Sequence, residues 1–275
     1  SHPSPSVSES HSLVIPSPSK SSPWTRGSES NASKQPSLSS SGSHSSANPS
    51  KSLSDPAVIV SFPIVGCDLS ASLVAWTTTP WTLPSNLALC VNPTFTYVYA
   101  REPGGNVFVL AEARLSTLPG MRKRDKGSNP ENLPEGWEIL RKVLGSQLKD
   151  LRYEPIFPFF EADMKVTAYK VCCDGYVTDD SGTGVVHQAP AYGEDDFRVC
   201  IANGVVVKGG ILPDPVDANG CFCHPVPDPY LGKHVKEADK DLIAAIKNMV
   251  RPNIFKLTYE RPNMHTRATL IFGLT

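Results

Sequence analysis

The 275-residue chain has no excess of either charge: 26 Lys and Arg stand against 27 Asp and Glu, for a formal net charge of -1. That balance excludes a coat-like protein that holds nucleic acid through its global field, so any RNA or DNA contact must come from a local patch. Long hydrophobic runs are also absent. No stretch approaches the roughly 18 apolar residues that a membrane-spanning helix requires. The chain opens on Ser1 rather than Met and shows no basic-then-apolar leader, so it reads as an excised piece of something longer. Cysteine is sparse and odd in number, seven in all. A chain of this size builds a core without staples, and a reduced, cytoplasmic setting is the simplest inference.

The motifs that carry common chemistries are missing too. There is no phosphate-binding glycine loop, and Gly182-Thr183-Gly184 lacks the third glycine of a dinucleotide fingerprint. Asp217-Ala218-Asn219-Gly220 has the look of a calcium loop's end, yet Pro215 stands at the first ligand position and no Glu closes it; a hairpin turn explains it better. Cys221-Phe222-Cys223-His224 offers metal-ligand types at the wrong spacing and without a partner pair. No Gly-x-Ser-x-Gly elbow is present, and no cysteine sits in a nucleophile context. Neither a metal nor a cofactor is expected.

What the sequence does contain falls into two compositions. Residues 1–56 hold 23 serines and 8 prolines with few aliphatics and one aromatic, Trp24. Such a segment cannot bury enough apolar surface to offset an ordering cost of roughly 1–2 kcal/mol per residue, and disorder is expected of it. From Ala57 the texture changes to short β-branched runs at 57–62, 72–78, 96–101, 106–111, 164–171 and 204–212, broken by Gly, Pro and Asn. Helical spacing is clearest from 234 to 249, through Val235, Ala238, Leu242, Ile246 and Met249. A second helix is expected to open at Gly193, with Glu194, Asp195 and Asp196 in its first turn, and a third to cover 111–118. The fold class is therefore α+β, a closed or nearly closed β-barrel-like core of short strands with a few peripheral helices. Residues 57–250 form the domain. The polar, Gly/Pro-punctuated stretch 121–137 is a surface insertion, and 251–275 is set apart as a divergent segment beyond the domain. The insertion's Arg122, Lys123, Arg124 and Lys126 suit either a solvated loop or a phosphate backbone.

Two segments are left that composition does not explain. In WTTTPWTLPSN at 76–86, threonine hydroxyls and two tryptophans crowd a strand that must end at Pro80. In GTGVVHQAPAYGEDDF at 182–197, a strand runs through a sharp turn into an acidic helix start. Each also suits ordinary structure: threonines favour strands, acids in a first helical turn complement the macrodipole, and a lone histidine is usually a hydrogen-bonded core residue.

Taken together, the two segments resemble the signatures of the editing domain, connective peptide 1, of class I aminoacyl-tRNA synthetases, in the isoleucyl form. Leucyl and valyl members carry an arginine after the paired threonines, where this chain has Thr79-Pro80. The likeness covers about residues 57–250 in order. The HIGH and KMSKS signatures of the synthetic site are absent, so the resemblance implies no aminoacylation by this piece. Residues 259–272 follow the family's return to its catalytic core only loosely.

The resemblance implies hydrolysis of valine wrongly esterified to tRNA(Ile), and of valyl-adenylate. A synthetic pocket cannot reject a substrate strongly for one missing methylene, worth about 1–3 kcal/mol, a general figure for which the isoleucyl enzymes are themselves the standard example. A smaller second pocket supplies the rest. The implied partners are the tRNA 3′ acceptor end and the parent synthetase's catalytic domain, with no membrane; a catalytically silent acceptor-end binding module is the alternative. By resemblance, Asp196 anchors the substrate's α-ammonium, while Asp195 is expected to face solvent. Thr77, Thr78 and Thr79 place the substrate or the attacking water, and alternation at the strand end should turn at least one of the last two into the pocket. His187 is the wall that excludes isoleucine. Asn86, Trp81 and Gly184 complete the substrate-binding set.

Overall fold

The structure, a computed structural model, describes residues 57–118, 121, 133–210 and 212–249, with the strand backbones of 254–257 and 270–271. The Ser/Pro-rich segment 1–56, the basic part of the insertion and most of 251–275 lie outside the described residues.

Strand β1 (Ala57–Pro63) is buried along nearly its whole length, and its alternate side chains serve two cores. Val58, Val60 and Phe62 join the larger cluster, while Ile59 joins a smaller one with Val74, Val98, Phe108 and Leu110. A strand covered on both faces reads as a continuous apolar run, which is why AVIVSF shows no polar alternation. It pairs antiparallel with β2 (Ser72–Thr77). The sheet continues through β4 (Thr96–Arg101), β5 (Val107–Ala111) and β6 (Glu138–Leu144), and on the other side through β9 (Ile254–Leu257) and β10 (Leu270–Ile271). Its order is β10-β9-β1-β2-β5-β4-β6. A second sheet, β7-β3-β8, contains β3 (Ala88–Val91), β7 (Lys170–Cys173) and β8 (Val185–Gln188).

The α+β class holds, but the barrel does not close. Closure needs the two edge strands to pair. Among the described residues β10 and β6 are edges of one open sheet, and β3, β7 and β8 leave to form their own. The link between β2 and β5 is a short parallel register of Ser72 with Phe108 and Leu73 with Val109.

Among the described residues helices are few: α1 (Glu161–Met164), α2 (Glu194–Ala202) and α3 (Val235–Asn248). The expected helix at 111–118 is a 3-10 turn, Glu112–Thr117. The run 204–212 is not a strand in its described residues; it is a turn after α2, where Val205 and Val206 bury in the core and Val207 is exposed. Of 164–171, only the end enters a strand, after α1 and its exit turn. The expected turn at 217–220 is present, with Gly220 N–H donating to Asp217 O at 2.9 Å. Helix α3 packs on a second 3-10 turn, Pro80–Ser85, which leads from β2 toward β3. That turn and the end of β8 are the two walls of the candidate site.

Candidate active site

Pro80 has no N–H for the β2 ladder, and its fixed φ suits the first position of a helical turn, so the strand ends and the 3-10 turn begins there. The preceding threonines fold onto that turn. Thr79 N–H donates to Thr77 Oγ1 at 3.1 Å, and the two hydroxyl oxygens lie 3.3 Å apart. Thr82 donates its hydroxyl to Thr79 O at 2.8 Å, and its Oγ1 also lies 3.5 Å from Thr79 Oγ1 and 3.1 Å from His187 Nε2. Thr77 is buried, Thr79 half-buried and Thr78 exposed.

This chain of contacts ties His187 to the threonine turn. Thr82 Oγ1 lies within reach of both Thr79 O and His187 Nε2: with the hydroxyl proton on Thr79 O the ring donates from Nε2, and with it directed at the ring the other tautomer accepts. His187 is only 8 % exposed, and burial lowers its pKa from 6.5 to about 4, so the ring is neutral near pH 7. Its Nδ1 is buried without a hydrogen-bond partner among the described residues.

Two residues beyond His187, Ala189 N–H donates to Asp196 Oδ2 at 2.9 Å. Burial raises the Asp196 pKa; the Ala189 hydrogen bond opposes this and the charge of Asp195 adds to it. Among the described residues Asp196 has no ion pair. Asp195, beside it on α2, has a side chain 59 % exposed and pairs with Arg198 at 3.1 Å; Arg198 also grips Asp174 at 2.7 Å. The adjacent acids thus occupy opposite electrostatic situations: one solvated and paired, one half-buried and without a cation among the described residues.

Other candidate residues have other surroundings. Trp81 is half-buried and meets Tyr192 edge to face, with ring centroids 4.8 Å apart. Asn86 is buried, donating to Ala88 O at 2.9 Å and accepting from Tyr153 OH at 2.7 Å, so its amide is committed to the domain interior. Gly184 is not brought into the threonine–histidine chain by any described hydrogen bond. Its carbonyl accepts from Tyr97 OH at 2.6 Å, its φ is +74, and a Cβ there would sit 2.4 Å from Ala111 Cβ. The glycine is required by close packing. Thr82 was missed from sequence; its one signal is its position three residues after Thr79 in a turn opened by proline.

The architecture now defines a class. A crystal structure of GlLeuRS-CP1 superposes with a TM-score of 0.51 at 14 % identity, over 75 % of this chain and 99 % of that one. The fold is that of the connective-peptide editing domain of class I aminoacyl-tRNA synthetases. Within that class, the segment is homologous to the isoleucine–tRNA ligases. It is 44 % identical over 230 residues to the cytoplasmic isoleucine–tRNA ligase of Arabidopsis thaliana, spanning 76 % of this chain and 19 % of that enzyme. The cytoplasmic isoleucine–tRNA ligase of Caenorhabditis elegans is 47 % identical over 215 residues, with 76 % and 17 % covered. The isoleucine–tRNA ligase of Bdellovibrio bacteriovorus is 42 % identical over 207 residues, with 75 % and 18 % covered. The chain spans less than a fifth of these relatives' length. Cytoplasmic relatives agree with the setting inferred from cysteine usage, and no helix among the described residues is long and apolar enough to cross a membrane. No protein-family model matches the chain.

Proposed function

We propose that this domain hydrolyses the ester of valine mischarged onto tRNA(Ile), with the acceptor end as its partner and valyl-adenylate as a second substrate. The observation that carries the reading is Asp196: a partly desolvated carboxylate, held by one backbone N–H, without a cation among the described residues. A carboxylate in that condition gains most from an arriving ammonium, because charge pairing strengthens away from bulk water. The α-ammonium of an aminoacyl ester supplies that charge.

The threonine turn meets the other end of the substrate. Its hydroxyls, with Thr78 exposed at the surface and Thr79 half-buried, donate to or accept from an ester or a water. His187, buried and neutral near pH 7, is tied through Nε2 to Thr82 at 3.1 Å. It serves as a rigid, neutral wall. Catalysis then comes from positioning and electrostatics, with the terminal ribose hydroxyl assisting.

Deacylation of Val-tRNA(Ile), with the chain at concentrations comparable to the substrate, tests the reading. Asp196→Ala should abolish hydrolysis with the melting midpoint kept, while Asp195→Ala, which removes only a solvated ion pair, should leave the rate within about twofold. Equal loss in both variants would reject Asp196 as the particular anchor. Binding of the acceptor end without hydrolysis would leave the silent module instead.

A further inference from the structure

The turn into α2 contains an unusual choice of residue. Gly193 is the N-cap, with φ -133 and ψ 131, a conformation open to every amino acid, and no side chain caps the helix there. Residues 193 and 196 have the spacing of a capping box, in which a Ser or Thr at the first position bonds the helix N–H groups and the acid at the fourth reaches back to the first residue's N–H. Neither half is made here. Asp196 reaches past Gly193 and takes the N–H of Ala189. A Cβ at position 193 would lie 2.9 Å from both Cγ and Oδ2 of Asp196, and 3.2 Å from Oδ1. The space that any side chain would occupy is filled by the carboxylate itself.

We infer that Gly193 is a positioning residue for the editing site: its missing side chain is what lets the Asp196 carboxylate lie back against Ala189 N–H, two residues from His187. This rests on the assignment of Asp196 as the ammonium anchor. The atoms that a new Cβ would meet are the end of a flexible side chain, not backbone, so the fold relieves the clash by rotating the carboxylate away. A substitution should therefore be mild for stability and severe for function. A displacement on the scale of an ångström at a reacting site costs on the order of a hundredfold in rate.

The test uses the full chain with Gly193→Ala and Gly193→Ser, and Gly175→Ala as the control, since a Cβ at Gly175 meets nothing within 4 Å. Three readouts are taken: the melting midpoint, the pH titration of the Ala189 amide resonance, and deacylation of Val-tRNA(Ile). In the unsubstituted chain the Ala189 amide should titrate with the Asp196 carboxyl. In both position-193 variants that titration should vanish and kcat/KM fall roughly a hundredfold, with the midpoint kept or, for the serine cap, raised. The control should match the unsubstituted chain. An Ala189 amide that still titrates as before in the Gly193 variants, or an unchanged kcat/KM, overturns the inference; so does unfolding of both variants, because the role would then be structural. If the unsubstituted chain hydrolyses nothing while the amide titration still vanishes in the variants, the assignment of substrate fails and the positioning role stands.

Discussion

At the scale of single residues, His187 ties stability to pH. Its pKa is about 4 when folded, against 6.5 when free, so between those values the unfolded chain holds a proton that the folded chain refuses. Stability contributed by the neutral ring is therefore complete above about pH 6.5 and is lost as pH falls toward 4, by about 3 kcal/mol in all. Asp196 works in the opposite sense: burial raises its carboxyl, so the folded chain takes up its proton more readily and its ionic cost fades on acidification. His187→Gln removes the larger, destabilising window, and its melting midpoint should change less between about pH 7 and 4.5 than that of the unsubstituted chain. An identical pH slope in both would refute the buried neutral ring. Specificity offers a second expectation. If the ring is the wall that excludes isoleucine, His187→Ala admits one more methylene, and hydrolysis of Ile-tRNA(Ile) should appear with valyl hydrolysis largely kept. Parallel loss of both activities with a lowered midpoint would show a core histidine only. The candidate site was singled out by resemblance: by residue type alone Asp196, Asp195 and the threonines suit an ordinary helix start and strand end. Thr82 was not, because its role exists only once the Pro80 turn has folded against a strand 105 residues away.

Among elements, the approach of the Gly184 turn to β5 shows why some glycines are fixed by neighbours. Gly184→Ala places a methyl 2.4 Å from Ala111 Cβ at a φ of +74, and it threatens the Tyr97 OH bond to Gly184 O. Overpacking of this kind costs about 1–3 kcal/mol, and a left-handed conformation adds to it. Chemical denaturation of Gly184→Ala should show that loss, and Ala111→Gly on the same background should recover part of it; no recovery would place the strain elsewhere. Strands β1, β2, β4 and β5 were legible because their β-branched runs are bounded by turn residues. Strand β3 was not: Ala88–Val91 is four residues, buried throughout, and too short for periodicity to separate it from a helical piece. Strand β6 failed for the opposite reason. It is an edge strand with exposed Glu138, Arg141 and Lys142, and polar edges resemble loops. The run 204–212 misled because Val205 and Val206 are apolar to fill the core beneath a turn, not to form a ladder. Barrel closure was beyond any local signal, since it depends on which strands meet at the edges.

For the whole molecule, the cysteines provide a probe of how the domain opens. All seven are free. Cys90 on β3, Cys172 on β7 and Cys200 on α2 are buried, while Cys67, Cys173, Cys221 and Cys223 are half-buried. Cys90 and Cys172 are register partners, and burial is the main cause that raises the thiol pKa at all three buried positions, to about 11 at Cys172. Because the thiolate is the reacting species, a disulfide reagent near pH 8 should modify these three only when the structure opens. They span the small sheet and the helix that carries Asp196. If that sheet and helix unfold together with the rest of the domain, the three should react at one slow rate whose denaturant dependence matches global unfolding. Mass spectrometry of the labelled positions measures each rate. Faster labelling of Cys200 than of Cys90 and Cys172 would show that α2 opens by itself, and would make the anchor a mobile element. The same measurement extends to residues 1–56. Their composition cannot supply a core, so a chain beginning at Ala57 should keep the slow rate and the melting midpoint of the full chain. A several-fold acceleration on removing them would mean that the segment docks on the domain and contributes to its stability.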